Sequence, residues 1–388
     1  MPNNPTTSSI VEVICQGDPR EMGFAQGAGA KRKIHGTRGA LAELEAFRLQ
    51  QPWWLPYRIY RRLAEQRAVT FLAGLQHEYP AMSQRLEGIA AGAGLSLKAL
   101  YLLNALEPML SSVGGCTACP GACSAVAVRG SRSATGEPMV ARNFDYLPLV
   151  QPFYLVRESR PAGKLRALEF TAAPLAGAVD GMNERGLCIT YDYGFTIDTP
   201  PRSAAPISMV ISEALAMCGT VTEAADWIAS QPRCGGALLM LCDAAGDLAS
   251  LELSSTRSYL RRPPSGEDVL FHTNAFFSES MRDVQPHQDV IYNDRAPTPL
   301  RGRRLHHSSE VRDGRFRELL EQTRIFDAEG LRTVMADHGP TDSPDDHTVC
   351  VHGSYWYTTA SLQFFPRSGR MRVAYDTACR ATYEEVGF

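Results

Sequence analysis

The sequence predicts an α+β layered fold, and three observations carry that expectation. Helical patterning fills the first third of the chain, from about Glu21 to Leu110. Short strand-like runs recur from Cys123 onward. Only a few helical segments accompany those strands, which is how layered α+β chains are written.

The elements follow in order. Gly23, Gln26 and Gly27 open the helical third, a charged amphipathic stretch runs from Arg58 to Leu75, and Glu87 to Gly94 leads into a further helix through Asn104 to Leu110. These segments are rich in Ala, Leu, Glu and Arg and poor in β-branched residues, which favours helix. From Ser111 to Ala122 the composition turns to Ser, Gly, Cys and Pro, the chemistry of a linker and a natural place for a cut.

Cys123 to Val128 then reads as a strand, Arg129 to Glu137 as a turn carrying Gly130 and Gly136, and Met139 to Asp145 as the partner strand. The pair makes a hairpin whose first residue is the cysteine. Further strands are expected at Phe153 to Arg157, Leu165 to Phe170, Ala176 to Val179, Leu187 to Tyr191, Ala237 to Cys242, Leu248 to Leu253, Tyr259 to Arg261 and Val269 to Thr273. Two more close the chain at Thr359 to Phe365 and Met371 to Tyr375. Helices are expected at Ile207 to Met217, Val221 to Ser230, Gly314 to Gln322 and Ala328 to Ala336.

Composition narrows the function classes. The 388 residues can bury a substantial core, and a hydrophobic share of 44% with a charged share of 21% is that of a globular protein. A net charge of -3, from 39 basic and 42 acidic side chains, offers no field for a polyanion, so no nucleic-acid partner is expected. The cluster of Arg301, Arg303, Arg304, His306 and His307 reads as a solvated face. Residues 1–10 lack the features of a secretory signal and no apolar run reaches membrane-spanning length, so a cytoplasmic location away from membranes is expected. Ten cysteines are scattered apart from Cys116, Cys119 and Cys123, and no cofactor is called for.

That cluster admits three readings. Thiolates at such spacing can converge on a metal ion, but a fourth ligand is needed and no second Cys/His cluster stands at a compatible spacing downstream. A redox pair of Cys116 and Cys119 would normally sit at a strand-to-helix junction, whereas a strand follows here. The third reading makes Cys123 a nucleophile. If the chain is cut between Ala122 and Cys123, the freed amine has a reference pKa of about 7.7 to 8.0, close to the thiol's value of about 8.5, so one residue supplies nucleophile and base. Arg142 would favour the thiolate and Asp145 would orient the ammonium. They are three apart, and strict alternation would send them to opposite faces, so the strand is expected to end or bulge near Asn143.

Cys123-Ser-Ala-Val-Ala-Val, a turn, then Gly-Glu-Pro-Met-Val-Ala-Arg-Asn-Phe-Asp-Tyr146 resembles the start of the mature subunit in the acyl-CoA:6-aminopenicillanic acid acyltransferase family. That family is related to choloylglycine hydrolase and acid ceramidase in the N-terminal-nucleophile hydrolase superfamily. Glu21 to Gly27, Glu87 to Ser96 and Asn104 to Glu107 resemble its pro-region, and Gly181 to Leu187, Phe271 to Asn274 and the closing strands with Cys379 follow in order.

The resemblance implies a four-layer αββα fold, with 1–122 as the α-rich pro-region and 123–388 as the part that begins with the nucleophile. It also implies roles: Cys123 as nucleophile, Arg142 beside the thiolate, Asp145 at the amine, and Asn183 by its backbone amide and Asn274 by its side chain at the oxyanion. A later arginine holds the site, with Arg312 the best match and Arg304 and Arg315 as competitors. Gly115-Cys116-Thr117 fits the short pattern around the family's nucleophile more closely than Cys123 does, but Cys116 would put a Pro-Gly kink inside the strand.

The expected function is therefore acyl transfer from a small linear amide or thioester through acyl-Cys123 to water or to an amine acceptor. A homo-oligomer is compatible with this. Three rivals stand beside it: an uncut Cys123 with His272, His338 or His347 as base, a metal-binding or redox protein built on Cys116, Cys119 and Cys123, and a catalytically idle binding protein that retains the fold.

Overall fold

The computed structural model describes residues 10–111, 122–200 and 204–388. Cys116 and Cys119, with most of the expected linker, lie outside the described residues.

The chain opens on a strand that the sequence reading missed, β1 (Val11–Gly17). Seven helices follow: α1 (Pro19–Gly29), α2 (Lys31–Ala40), α3 (Glu45–Arg48), α4 (Tyr57–Phe71), α5 (Leu75–Glu78), α6 (Pro80–Ala93) and α7 (Leu97–Ser111). The hairpin is β2 (Ser124–Val128) and β3 (Met139–Tyr146). Next come β4 (Tyr154–Pro161), β5 (Ala167–Ala172), β6 (Asp180–Asn183), β7 (Cys188–Gly194), β8 (Ala205–Pro206), α8 (Ile207–Met217), α9 (Val221–Ser230), β9 (Arg233–Cys234), β10 (Gly236–Cys242), β11 (Leu248–Leu253), β12 (Ser258–Arg261) and β13 (Val269–His272). The chain closes with α10 (His307–Gln322), α11 (Ala328–Met335), β14 (Tyr357–Phe365), β15 (Arg370–Ala374) and β16 (Glu384–Gly387).

Two sheets form the centre. One runs β1-β4-β5-β6-β7-β10-β11-β12 and the other β13-β2-β3-β14-β15-β16. They face each other where β2 and β3 meet β7, and Phe144 on β3 packs edge-on against Tyr154 and Phe170 of the first sheet. On the outer side of the first sheet lie α8 and α9, and on that of the second lie α10 and α11. The order is thus helices, sheet, sheet, helices, an α+β fold in four layers. Among the described residues, no helix is long and apolar enough to cross a membrane.

The first third is welded to this frame. Glu169 on β5 is buried and accepts from Arg157 at 2.7 Å and from Ser212 of α8 at 2.6 Å, while Arg157 also reaches Gln26 of α1 at 2.6 Å. Burial alone would raise the Glu169 carboxyl, but Arg157 and Arg85 hold it down at about 2. Helices α1 and α6 cross at backbone contact: a Cβ on Gly23 would lie 2.1 Å from the Arg85 carbonyl oxygen, and one on Gly88 2.1 Å from that of Arg20. The glycines that marked the start of the helical region are there for close approach.

Two expectations change. Ala176 to Val179 is not a strand, and β6 begins only at Asp180. Its backbone is claimed by side chains instead: Asn104 accepts from the Ala176 N–H, and Arg157 donates to the Leu175 and Ala176 carbonyls. β3 neither ends nor bulges near Asn143, because the irregularity sits across from Asp145, in β14 between Thr358 and Ala360.

Candidate active site

Cys123 lies immediately before β2 and is buried. The hairpin register pairs Ser124 with Asn143 and Ala125 with Arg142. Alternation therefore places Cys123, Ala125, Arg142 and Phe144 on the face toward the first sheet, with Asn143 and Asp145 on the other. On that outer face the Asn143 side chain donates to the Met335 and Val349 carbonyls at 2.7 and 3.0 Å.

Arg142 is fully buried, with its guanidinium 2.9 Å from Asp180 Oδ2 and 3.1 Å from Asp192 Oδ1. It also donates to the Tyr191 carbonyl. Burial opposes its charge, yet the acids around it hold it protonated. At Cys123, burial pushes the thiol well up and Arg142 pulls it back down. The Sγ–H is directed at the Asp145 carbonyl oxygen, 3.7 Å away.

Asp145 flanks the Ala122–Cys123 peptide: its carbonyl accepts from the Ala122 N–H at 3.2 Å. Its Oδ1 accepts from Thr358 Oγ1, while Oδ2 is buried without a hydrogen-bond partner among the described residues. Burial raises this carboxyl to about 7, against the pull of Arg312. A buried acceptor left unpaired is costly unless a donor is to arrive there.

Arg312, on α10, is likewise buried. Its Nη1 donates to the Cys123 carbonyl at 2.7 Å and its Nη2 to Asn274 Oδ1 at 3.0 Å. That contact fixes the Asn274 amide, whose Nδ2 donates to the Tyr193 carbonyl at 2.8 Å with one of its two hydrogens. The competing arginines go elsewhere, Arg304 to Glu310 and Arg315 to Asp337.

So Cys123, Arg142, Asp145, Asn274 and Arg312 come together, and Asn183 does not. The Asn183 N–H donates to the Leu187 carbonyl in its own turn, and its side chain donates to the Leu215 and Cys218 carbonyls at the end of α8. Its side-chain oxygen also accepts from the Arg185 and Leu187 N–H groups, so both ends of that amide hold a turn and a helix terminus, and the structure does not bring Asn183 to the other expected site residues.

None of the three histidines hydrogen-bonds Cys123. His272 lies against Ser250 at 2.7 Å and Asp192 at 3.4 Å, and burial keeps its ring well below the usual histidine range. His347 pairs with Asp346, and His338 with Asp342.

An apolar cavity of about 130 Å³ opens on Cys123, walled by Leu103, Tyr146, Leu149, Val150 and Tyr191 among others. Among the described residues Glu107 is its one acidic lining group, bonded by the Tyr191 hydroxyl and raised by burial to about 7. A second, smaller hollow lies on the Ala122 side, between Asn274, Arg312 and Trp356. The aromatic stretch from Trp53 to Tyr60 does not line the larger cavity, and Trp53 is 95% exposed.

Sequence reasoning missed Asp180 and Asp192. The signal was present, since each is the one charged residue of a fully buried strand.

The profile of the acyl-coenzyme A:6-aminopenicillanic acid acyl-transferase family matches residues 132–335. The chain belongs to that family. Its members are amide hydrolases or acyltransferases of the N-terminal-nucleophile class, and this chain is an enzyme of that type. No curated protein matches the sequence. Among solved structures, the chain is similar to the Caenorhabditis elegans N-acylethanolamine-hydrolyzing acid amidase ortholog, at 13% identity and a TM-score of 0.42, over 69% of this chain and 100% of that one. It is also similar to the penicillin V acylase of Agrobacterium tumefaciens, at 14% and 0.42, over 69% and 86%. A mutant conjugated bile acid hydrolase of Clostridium perfringens matches at 12% and 0.38, over 69% and 92%.

Proposed function

We propose that this family member cuts itself before Cys123 and then acts through an acyl-Cys123 intermediate on an amide or thioester with an apolar acyl group. The observation that carries the reading is the setting of the Ala122–Cys123 bond. Asp145, whose backbone carbonyl holds the Ala122 N–H and whose buried Oδ2 has no hydrogen-bond partner among the described residues, flanks the bond on one side, and Arg312 grips the Cys123 carbonyl on the other.

In maturation, Sγ attacks the Ala122 carbonyl carbon, the C–N bond breaks with a proton passing to nitrogen, and water hydrolyses the thioester between Ala122 and Sγ, leaving a carboxyl on Ala122 and a thiol on Cys123. The new ammonium falls beside Asp145, which gains the donor it lacks. In turnover the amine takes the Sγ proton, the thiolate attacks the substrate carbonyl, and the same ammonium protonates the leaving group. Asn274, oriented by Arg312 and with one hydrogen still free, serves the oxyanion. Arg142 favours the thiolate by its charge. The apolar cavity takes the acyl chain, and water or an amine then accepts it.

Intact-mass analysis tests this directly. Two chains divided at 122/123 are expected from the native protein and one uncut chain from Cys123→Ala. An uncut native chain with full activity overturns the proposal, and a terminus at Cys116 would move the nucleophile.

A further inference from the structure

Beyond the outer face of the second sheet, four side chains from three separate stretches of sequence converge: His338 after α11, Cys350 and His352 in the loop before β14, and Cys379 after β15. One nitrogen or sulfur from each lies within 4.8 Å of all the others. We propose that these four residues bind a zinc-type divalent ion in a closed Cys2His2 site.

The geometry supports this in detail. Metal–sulfur bonds of about 2.3 Å and metal–nitrogen bonds of about 2.0 to 2.1 Å, arranged tetrahedrally, place neighbouring ligand atoms about 3.3 to 3.8 Å apart. His352 Nε2 is 3.4 Å from Cys350 Sγ and 3.5 Å from Cys379 Sγ. The His338 ring stands edge-on to His352, with centroids 5.0 Å apart at 88°, and its Nε2 is buried without a hydrogen-bond partner among the described residues. Its other nitrogen is 3.1 Å from Asp342 Oδ1. A carboxylate on the far nitrogen is how proteins fix a histidine with its remaining lone pair toward a metal. Thr377 Oγ1 lies 3.1 Å from Cys379 Sγ, a second contact of the kind that orients a ligand.

The charge also balances. Both thiols give up their protons on coordination, and two thiolates with two neutral imidazoles cancel a divalent charge, so a half-buried centre carries no net charge. Thiolate and imidazole together favour zinc over magnesium or calcium. All four positions are taken by protein, so the ion is structural. What it would hold is the loop behind Asp145: the Val351 N–H, between Cys350 and His352, donates to Thr358 Oγ1 at 2.8 Å, and that hydroxyl donates to Asp145. The site uses neither Cys116 nor Cys119 and does not depend on the reaction proposed above.

Metal content of the full-length protein, purified without chelators, tests the site. One zinc per chain is expected, kept by the Cys116→Ser/Cys119→Ser double variant and lost by Cys379→Ser. Cobalt exchange should give the visible bands of a tetrahedral cobalt–thiolate centre. Should Cys379→Ser fail to fold, His338→Ala, at the rim, gives the same readout. Protein that stays metal-free after incubation with zinc, a Cys350–Cys379 disulfide found by mass, or metal lost only in the Cys116/Cys119 variant overturns the proposal.

Discussion

Arg312 donates to the carbonyl oxygen of Cys123 at 2.7 Å across a separation of 189 residues, and its other terminal nitrogen holds Asn274. A lysine there keeps the charge but cannot span both partners. Arg312→Lys should slow appearance of the chain beginning at Cys123 by about ten- to a hundredfold, from charged hydrogen bonds of about 1.5 to 3 kcal/mol. A mass time course reads this, and cleavage at the native rate would remove Arg312 from the site.

Arg142 balances two buried acids. Arg142→Leu leaves Asp180 and Asp192 without their cation, and breaking a buried pair from one side costs about 3 to 5 kcal/mol. Thermal melting should drop by several degrees, with partial recovery when Asp180→Asn is added. A melting point equal to the native one would contradict the buried charge balance.

The uncut Cys123→Ala protein should lose stability as pH rises from about 4 to 7. Burial lifts Asp145 and Glu107 to about 7 and Asp180 and Asp313 to about 6, so the folded chain keeps protons that the unfolded chain has released. Glu169 works oppositely: held at about 2, it withdraws stability as pH falls below its ordinary value of 4.5. Adding Asp145→Asn should flatten part of the upper slope, which denaturant titrations across pH will show. An identical slope in the double variant would mean Asp145 is ionised throughout.

Val150 lines the apolar cavity. Val150→Phe would displace about two methylenes of a long acyl chain, and at about 0.8 kcal/mol each KM should rise about tenfold for long chains and little for short ones. Equal effects on both would place the acyl group elsewhere.

Gly23→Ala should separate α1 from α6, since its Cβ would meet the Arg85 carbonyl oxygen at 2.1 Å. Overpacking of this kind costs about 1 to 3 kcal/mol. Urea unfolding measures it, and a neutral outcome would mean the crossing opens freely.

The sequence made the hairpin legible because a cysteine, a β-rich run, a glycine turn and an Arg/Asp pair fall within one local stretch. Arg312 and Asn274 were readable only through family order, since nothing local ties them to Cys123. The place of Asn183 was not legible, because a turn motif looks alike whether its amide faces a substrate or its own loop. β1 escaped because only Val13 and Cys15 of its seven residues are buried, as suits an edge strand. The convergence of His338, Cys350, His352 and Cys379 had no compact spacing to announce it, and the fold alone brings the four together.

The edge strand β1 runs parallel to β4, and α1 is tied through Gln26 to Arg157. A break at 122/123 would therefore sever a peptide bond without releasing the piece before it. The two fragments would stay one body, like a lock whose bolt has been sawn from its handle after closing. Such a molecule, once unfolded, would face a bimolecular search in place of the chain's own tether, so its working lifetime would be governed by how slowly it opens.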